Sequence, residues 1–151
     1  MEYAVGSTKK RNKSNYNGYR DLKVFQLSYK LAMNIFEITK TFPKEERFSL
    51  TDQIRRSSRS IPANIAEAWK KRLYPKMFVS KIVDAAGEAG ETEVWLRVSK
   101  DAGYLPKEKY NELISGYDEV NRMLYGMIEN RKNSQQRQLK VPSFNCLLHS
   151  A

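Results

Sequence analysis

Apolar residues recur every three or four positions through the middle of the chain, a spacing that predicts a series of amphipathic helices. The first helix is expected to begin at an N-cap, Asp21, and to run to about Lys40. Its apolar residues cover roughly half of the circumference and are Val24, Phe25, Leu27, Leu31, Ala32, Ile35, Phe36 and Ile38. Because one neighbour cannot cover so wide a stripe, the pattern indicates a helical bundle.

The second predicted helix contains a proline in its interior. Ser49 and Asp52 are close to a capping box at its start, and its apolar stripe keeps one phase on both sides of Pro62. We therefore expect the helix to continue through Pro62 with a kink, because proline removes a backbone hydrogen bond. The stripe predicts a core containing Leu50, Ile54, Ser58, Ile61, Ile65 and Trp69.

Prolines also mark the starts of two further helices. Pro75 suits the first turn of the third helix, which is expected to run to about Asp101 and to stop before a C′ glycine, Gly103. Pro106 opens the fourth helix, which is expected to run to about Asn130. The predicted inner positions are Val79, Ile82, Ala86, Ala89 and Leu96 in the third helix, and Leu113, Tyr117, Val120, Leu124 and Met127 in the fourth.

Two glycines interrupt the third predicted helix. Gly87 and Gly90 each cost ~1 kcal/mol of helix stability relative to alanine. Neighbouring alanines make this surface unusually small. We therefore expect another helix to approach closely at the two glycines.

These elements predict an all-α fold, an antiparallel up-down four-helix bundle with a proline-kinked second helix, over residues 21–130. Residues 1–20 are expected to form a disordered basic N-terminal arm, and residues 131–151 a basic, mostly flexible C-terminal tail. The formal net charge is +10. Each terminal segment carries +4 of it, and residues 21–130 carry only +2.

The composition favours a cytoplasmic protein without membrane attachment. Cys146 is the only cysteine, so an internal disulfide is impossible and a reducing compartment fits. The N-terminal residues lack the apolar run of a secretory signal. No segment approaches the ~18 consecutive apolar residues that a membrane span requires.

The sequence offers little for catalysis or for metal binding. Asp84, Glu88 and Glu91 fall on one face of the third helix, but a ferritin-like metal site needs Glu-x-x-His motifs from two helices. His149 is the only histidine, and it lies near Cys146 in a segment with no predicted scaffold. There is no glycine-rich phosphate loop. We therefore predict no cofactor, no metal site and no enzymatic activity.

Charge is distributed unevenly over the predicted bundle. Residues 50–73 carry +4 and residues 74–130 carry −3. An ordinary solvated helix is one interpretation of the basic segment. Binding to the phosphates of RNA or DNA is a second interpretation, and pairing with the acidic face of a neighbouring subunit is a third. The candidate nucleic-acid-binding residues are Arg55, Arg56, Arg59, Lys70, Lys71 and Arg72.

The acidic face of the third helix is the candidate oligomer interface. It comprises Asp84, Glu88 and Glu91, together with Trp95 on the same arc. An aromatic residue among polar ones is typical of a subunit contact, since the cores of protein interfaces are enriched in aromatic residues.

Several segments resemble a known family. They are residues 21–25 (Asp-Leu-Lys-Val-Phe), 53–57 (Gln-Ile-Arg-Arg-Ser), 60–67 (Ser-Ile-Pro-Ala-Asn-Ile-Ala-Glu), 103–105 (Gly-Tyr-Leu) and 123–126 (Met-Leu-Tyr-Gly). In this order they resemble the bacterial four-helix bundle proteins encoded in intervening sequences of 23S rRNA genes. The accessory variability proteins of diversity-generating retroelements are related to that family in structure.

The resemblance implies a non-enzymatic bundle that assembles as a pentameric ring and has a nucleic-acid role. Ala68 and Glu88 depart from the family pattern, which often has glycine at the first position and serine at the second. The extra negative charge of Glu88 argues against a nucleic-acid role for the third helix.

We therefore expect a non-catalytic homo-oligomer, a pentamer by resemblance, that binds RNA or DNA through the basic second helix and the terminal segments. The alternative is a structural or adaptor protein that recruits a protein partner, with its uneven charge serving self-assembly.

Overall fold

The computed structural model describes residues 17–139, with side chains from 17 to 137, and this range is helical with short connections. The α-helices are α1 (Lys23–Thr39), α2 (Leu50–Lys70), α3 (Pro75–Asp101) and α4 (Lys107–Leu139), and 3-10 turns lie at Gly18–Asp21 and Lys44–Glu46. Each helix packs against its neighbours in the chain, and α4 also packs against α1. The predicted all-α four-helix bundle is confirmed.

The core contains most of the predicted inner positions. Its most deeply buried side chains are Ile35, Ile54, Ile61, Ile65, Ile82, Leu96, Leu113, Tyr117, Val120 and Leu124. Val79 and Ala86 of α3 are only partly buried, because the inner face of this helix is centred on Ala85 and Ala89. Between α2 and α3 the buried hydroxyl oxygens of Ser57 and Thr92 lie 2.9 Å apart.

The second helix runs without a break from Leu50 to Lys70 through the buried Pro62, as predicted. The kink itself stays a prediction. Trp69, predicted to lie in the core, is half-buried, and Ala68 beside it is fully buried instead. A Cβ on Gly18 would lie 3.6 Å from the Trp69 Nε1, so the 3-10 turn before α1 covers this ring.

The predicted capping box at the start of α2 is wrong. Ser49 is the N-cap residue, but its side chain makes no capping hydrogen bond. Its hydroxyl instead donates to the carboxylate of Glu46, which also accepts the Leu50 amide at 3.3 Å. Glu46 therefore caps α2 from the preceding turn, and the Ser49 and Leu50 hydrogen bonds lower its pKa, with a smaller contribution from Tyr104.

The helix ends differ from prediction at both termini of the bundle. Leu22 is the N-cap residue of α1, whereas Asp21 lies in the 3-10 turn and accepts the Asn17 amide at 2.8 Å. α4 continues nine residues beyond Asn130, to Leu139. The predicted end of the fourth helix is therefore wrong, since residues 131–139 belong to α4. The predictions for residues 1–16 and 140–151 lie outside the described residues.

A contact with the α2–α3 connection holds the extended end of α4. Arg131 donates a hydrogen bond to the Arg72 carbonyl oxygen at 2.6 Å, and its guanidinium lies 5.8 Å from the centre of the Phe78 ring.

At the opposite end of the bundle α3 stops as predicted, because Gly103 has a φ of 81°. The amides of Gly103 and Tyr104 bond back to the carbonyls of Lys100 and Ser99, which is a Schellman motif.

The close approach expected at the glycines of α3 does not occur within the described part of the chain. Among the described residues, a Cβ built at Gly87 or Gly90 meets nothing within 4 Å. The tight contact lies instead between α4 and α1, where a Cβ at Gly116 would come within 2.7 Å of a Leu31 methyl carbon.

Within residues 17–139, none of the helices combines the length and the apolar character that a membrane crossing requires.

Candidate nucleic-acid interface

Three cations surround one aromatic ring on the outer side of α1 and α2. The Phe36 ring centre lies 4.8 Å from the Lys40 Nζ, 4.9 Å from the Arg55 Cζ and 5.5 Å from the Arg59 Cζ. Such contacts attract because the ring face is electron-rich. Four-residue spacing places each pair on one side of its helix, Phe36 with Lys40 and Arg55 with Arg59. We call these four residues the α1–α2 edge.

Arg55 is held in place from two sides. Its Nε donates to the Thr39 hydroxyl at 2.7 Å, and that hydroxyl donates to the Phe36 carbonyl oxygen at 3.0 Å. The Phe36 ring supports the guanidinium from another direction. The two terminal nitrogens of Arg55 are left without a carboxylate partner in the described part of the chain.

Past the end of α1, this edge opens into a pocket of about 180 Å³. Its lining contains four cationic residues, two threonines and no acidic residue: Thr39, Lys40, Phe42, Pro43, Lys44, Arg47, Thr51 and Arg55. An anion in this pocket would meet positive charge from both helices and from the connection between them. We call it the basic pocket.

Of the acids nearest to this region in sequence, Glu37, Glu45 and Glu46, only Glu37 forms an ion pair with one of its cations among the described residues. Lys40 pairs with Glu37 at 2.9 Å on the exposed surface of α1. Glu46 is engaged in capping α2. Among residues 17–137, no carboxylate lies within 4 Å of the charged groups of Lys44, Arg47, Arg55 and Arg59.

Arg56 lies apart from its sequence neighbours, on the side of α2 that faces α3. Its nearest ion-pair partner is Asp52 at 4.0 Å, and it shares a surface depression with Glu88 and Glu91. Burial raises the pKa of Glu88, the charge of Glu91 raises it further, and the charge of Arg56 opposes the shift. The predicted basic residues are therefore not a single patch.

The other three predicted cations lie at the far end of α2. Lys70 is 15 residues from Arg55, or roughly 22 Å along the helix axis, and is exposed. Lys71 pairs with Glu67 at 2.7 Å, and this hydrogen bond is the largest cause of the lowered pKa of Glu67. The guanidinium of Arg72 lies 4.7 Å from the Trp69 ring centre and donates to the Trp69 carbonyl oxygen at 2.9 Å.

The candidate interface residues of α3 also differ from one another in their contacts. Asp84 forms an ion pair with Lys81 at 3.4 Å. The Trp95 indole donates to Glu91 at 3.0 Å, and the half-buried ring packs against the core of its own chain. Trp95 is therefore partly a structural residue of the monomer.

The most exposed apolar surface of α3 lies beside these residues. It comprises, at helical spacing, Val83, Gly87, Gly90, Val94 and Val98, and the three valines are 41–55% exposed. No side chain of the described residues would contact a Cβ at either glycine. We call this surface the α3 outer face.

Within residues 17–137, no group of three or more His, Cys, Asp and Glu side chains is arranged to hold a metal ion. Cys146 and His149 lie outside the described residues.

Sequence reasoning missed the contribution of Phe36, Lys40, Lys44 and Arg47. Residues 44–47 (Lys-Glu-Glu-Arg) are neutral by charge count, and only the fold shows that Glu46 is turned to capping. A cation four residues after an aromatic residue, as in Phe36 and Lys40, was the one available signal.

Comparison with known proteins gives one family and related solved structures. The family described as 23S rRNA-intervening sequence protein matches residues 20–126. A 1.70 Å crystal structure of a protein of unknown function from the S23 ribosomal protein family of Bacteroides thetaiotaomicron is 33% identical, with a TM-score of 0.64. The match covers 70% of this chain and 95% of that one. No curated protein matches the chain.

The family match spans the helices that carry the α1–α2 edge, the basic pocket and the α3 outer face. The protein belongs to the family of 23S rRNA-intervening sequence proteins.

Proposed function

We propose that this protein is a non-catalytic, homo-oligomeric helical bundle that binds RNA or DNA through the basic residues of α2 and through its basic terminal segments. The observation that carries the proposal is the α1–α2 edge, where Arg55 and Arg59 lie beside Phe36 with no carboxylate within 4 Å among the described residues. Arg56 and Lys70 add positive charge elsewhere on the same helix, and Lys71 and Arg72 add it directly after the helix ends.

Unpaired arginines on a rigid helix suit phosphate contacts, because guanidinium groups donate to phosphate oxygens in a fixed geometry. Contacts of this kind position a nucleic acid without reading its bases. We therefore expect similar affinities for different sequences, and a steep loss of affinity as salt displaces the protein from the phosphates.

Titration of labelled RNA and DNA over a range of salt concentrations tests the proposal. The logarithm of the binding constant should fall with the logarithm of salt concentration by ~0.7–0.9 per phosphate contact. The double variant R55Q/R59Q should flatten this slope, whereas a control that removes two charges elsewhere, K76Q/R122Q, should leave it nearly unchanged. If the unaltered protein binds neither nucleic acid at low salt, the proposal fails.

Self-association is the second part of the proposal. The α3 outer face leaves valine side chains exposed beside the charged groups of Glu88 and Glu91, a combination that suits contact with a second copy. The expected number of five subunits comes from the family resemblance alone. Light scattering should give about five times the 17.6 kDa monomer mass, and a monomer at all concentrations would contradict the assembly.

Recruitment of a protein partner is the alternative function, and one observation favours it. Phe48 is 87% exposed and borders a groove of about 470 Å³ with Trp95, Val98 and Tyr104. If the protein assembles but binds no nucleic acid, this groove becomes the leading functional surface.

A further inference from the structure

We infer that the basic pocket binds one phosphate group, chiefly through Lys44, Arg47 and Arg55. The pocket extends the proposed interface beyond α2 to residues of the α1–α2 connection. The inference rests on the proposed function only where the phosphate belongs to a nucleic acid.

The charge of the pocket is the first argument. Its lining holds four cations and no acid, and only Lys40 of the four has an ion-pair partner among the described residues. Cations gathered in a concave site reinforce one another's field, because the low-dielectric walls focus it. An anion would relieve the mutual repulsion of these charges.

The preorganisation of Arg55 is the second argument. Thr39 fixes its Nε and Phe36 supports its plane, so binding a ligand would restrict little additional side-chain motion. The terminal nitrogens can then donate to an oxyanion in the paired geometry that guanidinium favours. Arg47 is less constrained, since its Cζ lies 5.3 Å from the centre of the exposed Phe48 ring.

The helix ends beside the pocket add little to its field. Thr51 lies in the first turn of α2, where helix amides carry partial positive charge, but the Glu46 carboxylate already caps that turn. The backbone carbonyl groups at the C-terminal end of α1 are largely hydrogen-bonded. Those of Glu37, Ile38 and Thr39 already accept amide hydrogen bonds from the residues that follow.

The size of the pocket limits the ligand. At about 180 Å³ it is smaller than the ~300–1,000 Å³ of sites that enclose whole organic ligands. A single phosphate group fits this description, whereas the base and sugar of a nucleotide would remain outside. Two sources offer that group, free phosphate or pyrophosphate and the backbone or terminus of a nucleic acid.

The test uses the full-length protein and inorganic pyrophosphate, with sodium chloride at matched ionic strength as the reference. Calorimetry should show saturable binding, and amide NMR signals of Thr39 and Thr51 should shift. The variant K44Q/R47Q should weaken binding by about tenfold or more, because each charged hydrogen bond lost has an effect of that order. Both residues are exposed, so the fold should survive. The matched control is K76Q/R122Q.

Absence of saturable pyrophosphate binding, or equal weakening in the control, would overturn the inference. Such a result would leave the proposed function intact if RNA still bound with a steep salt dependence. Conversely, pyrophosphate binding without any binding of RNA or DNA would support the pocket and reject the proposed nucleic-acid function.

Measurements of RNA binding identify the source of the phosphate. If K44Q/R47Q also weakens RNA binding, and pyrophosphate competes with RNA, the group belongs to the nucleic acid. If the variant loses pyrophosphate and keeps RNA, the pocket serves free phosphate. Both outcomes support phosphate recognition at this site.

Discussion

The two long edges of α2 carry similar residues in opposite electrostatic settings. On the side facing α1, Arg59 lies 5.5 Å from the centre of the Phe36 ring and has no carboxylate within 4 Å among the described residues. On the side facing α3, Arg56 lies 4.0 Å from Asp52 and beside Glu88. Three positions of sequence therefore separate an uncompensated cation from a compensated one.

This difference shows that uncompensated charge, and not the charge count, identifies a surface suited to phosphate. The set of six basic residues in segment 50–73 includes Lys71, whose charge is matched by Glu67 at 2.7 Å. It excludes Lys44 and Arg47, which the fold brings to the α1–α2 side. The α3 side, with balanced charge and exposed valines, is better suited to protein contacts.

The largest expected effect is on assembly, and it tests whether the α3 side of the molecule contacts another subunit. V94D/V98D should convert the oligomer to a species near 17.6 kDa, because buried carboxylates would oppose subunit contact. RNA binding per chain should weaken only through lost avidity. Light scattering and RNA titration on one preparation measure both effects. M33D, a change at an exposed α1 residue, is the control, and an intact oligomer in V94D/V98D would place the interface elsewhere.

The next prediction compares two arginines of one helix. R59Q should reduce the salt slope of RNA binding by ~0.7–0.9, the equivalent of one phosphate contact. R56Q should change it much less, since nearby acids already balance Arg56. Fluorescence anisotropy at several salt concentrations measures both slopes. Equal effects would mean that RNA reaches across both edges, and a larger effect for R56Q would reverse the comparison.

A third prediction distinguishes open from crowded glycines. G87A on the α3 outer face should stabilise the isolated chain by up to ~1 kcal/mol, the propensity difference between the two residues. G116A should destabilise it by about 1 kcal/mol, because the new methyl group would crowd the buried Leu31 side chain.

Urea unfolding in an assembly-deficient background measures both glycine changes, with G126A as a second open position. Stabilisation by G116A would show that Leu31 moves aside without cost. A G87A variant that gains stability but loses assembly would support close subunit contact at the α3 outer face.

The smallest expected effect concerns a carboxylate between α3 and α4. Burial raises the pKa of Glu93, a hydrogen bond from Asn121 at 2.7 Å opposes the shift, and the charge of Asp118 adds to it. The folded pKa of Glu93 is above the unfolded value of ~4.3. The contribution of protonated Glu93 to stability is therefore complete at pH values below the unfolded pKa. That contribution is lost as the pH rises through the folded pKa.

E93Q should therefore be more stable than the parent protein at pH 7, by no more than about 1 kcal/mol after solvent screening. The difference should shrink as the pH falls towards 4. Thermal melts across this range measure it, with the exposed E119Q as control. An advantage for E93Q that is constant with pH would exclude ionisation as its cause.

Much of the bundle could be predicted because its cause is local. The apolar spacing of α2 identified Ile54, Ile61 and Ile65, all fully buried, and the phase match across Pro62 predicted its continuity. Gly103 marked the end of α3 because a left-handed residue is favourable mainly as glycine. The end of α4 was missed, since residues 131–139 are polar and their anchor, Arg131 on the Arg72 carbonyl, is a contact distant in sequence.

The sequence by itself determined the helices, the faces they bury and the excess of positive charge, because propensity and periodicity act between residues a few positions apart. Only the tertiary structure decided which charges remain uncompensated. It turns Glu46 to cap α2, sets Arg56 against α3 and brings Lys44 and Arg47 to Arg55. Electrostatic interactions depend on distance in space, so the basic pocket exists only once α1 and α2 have packed.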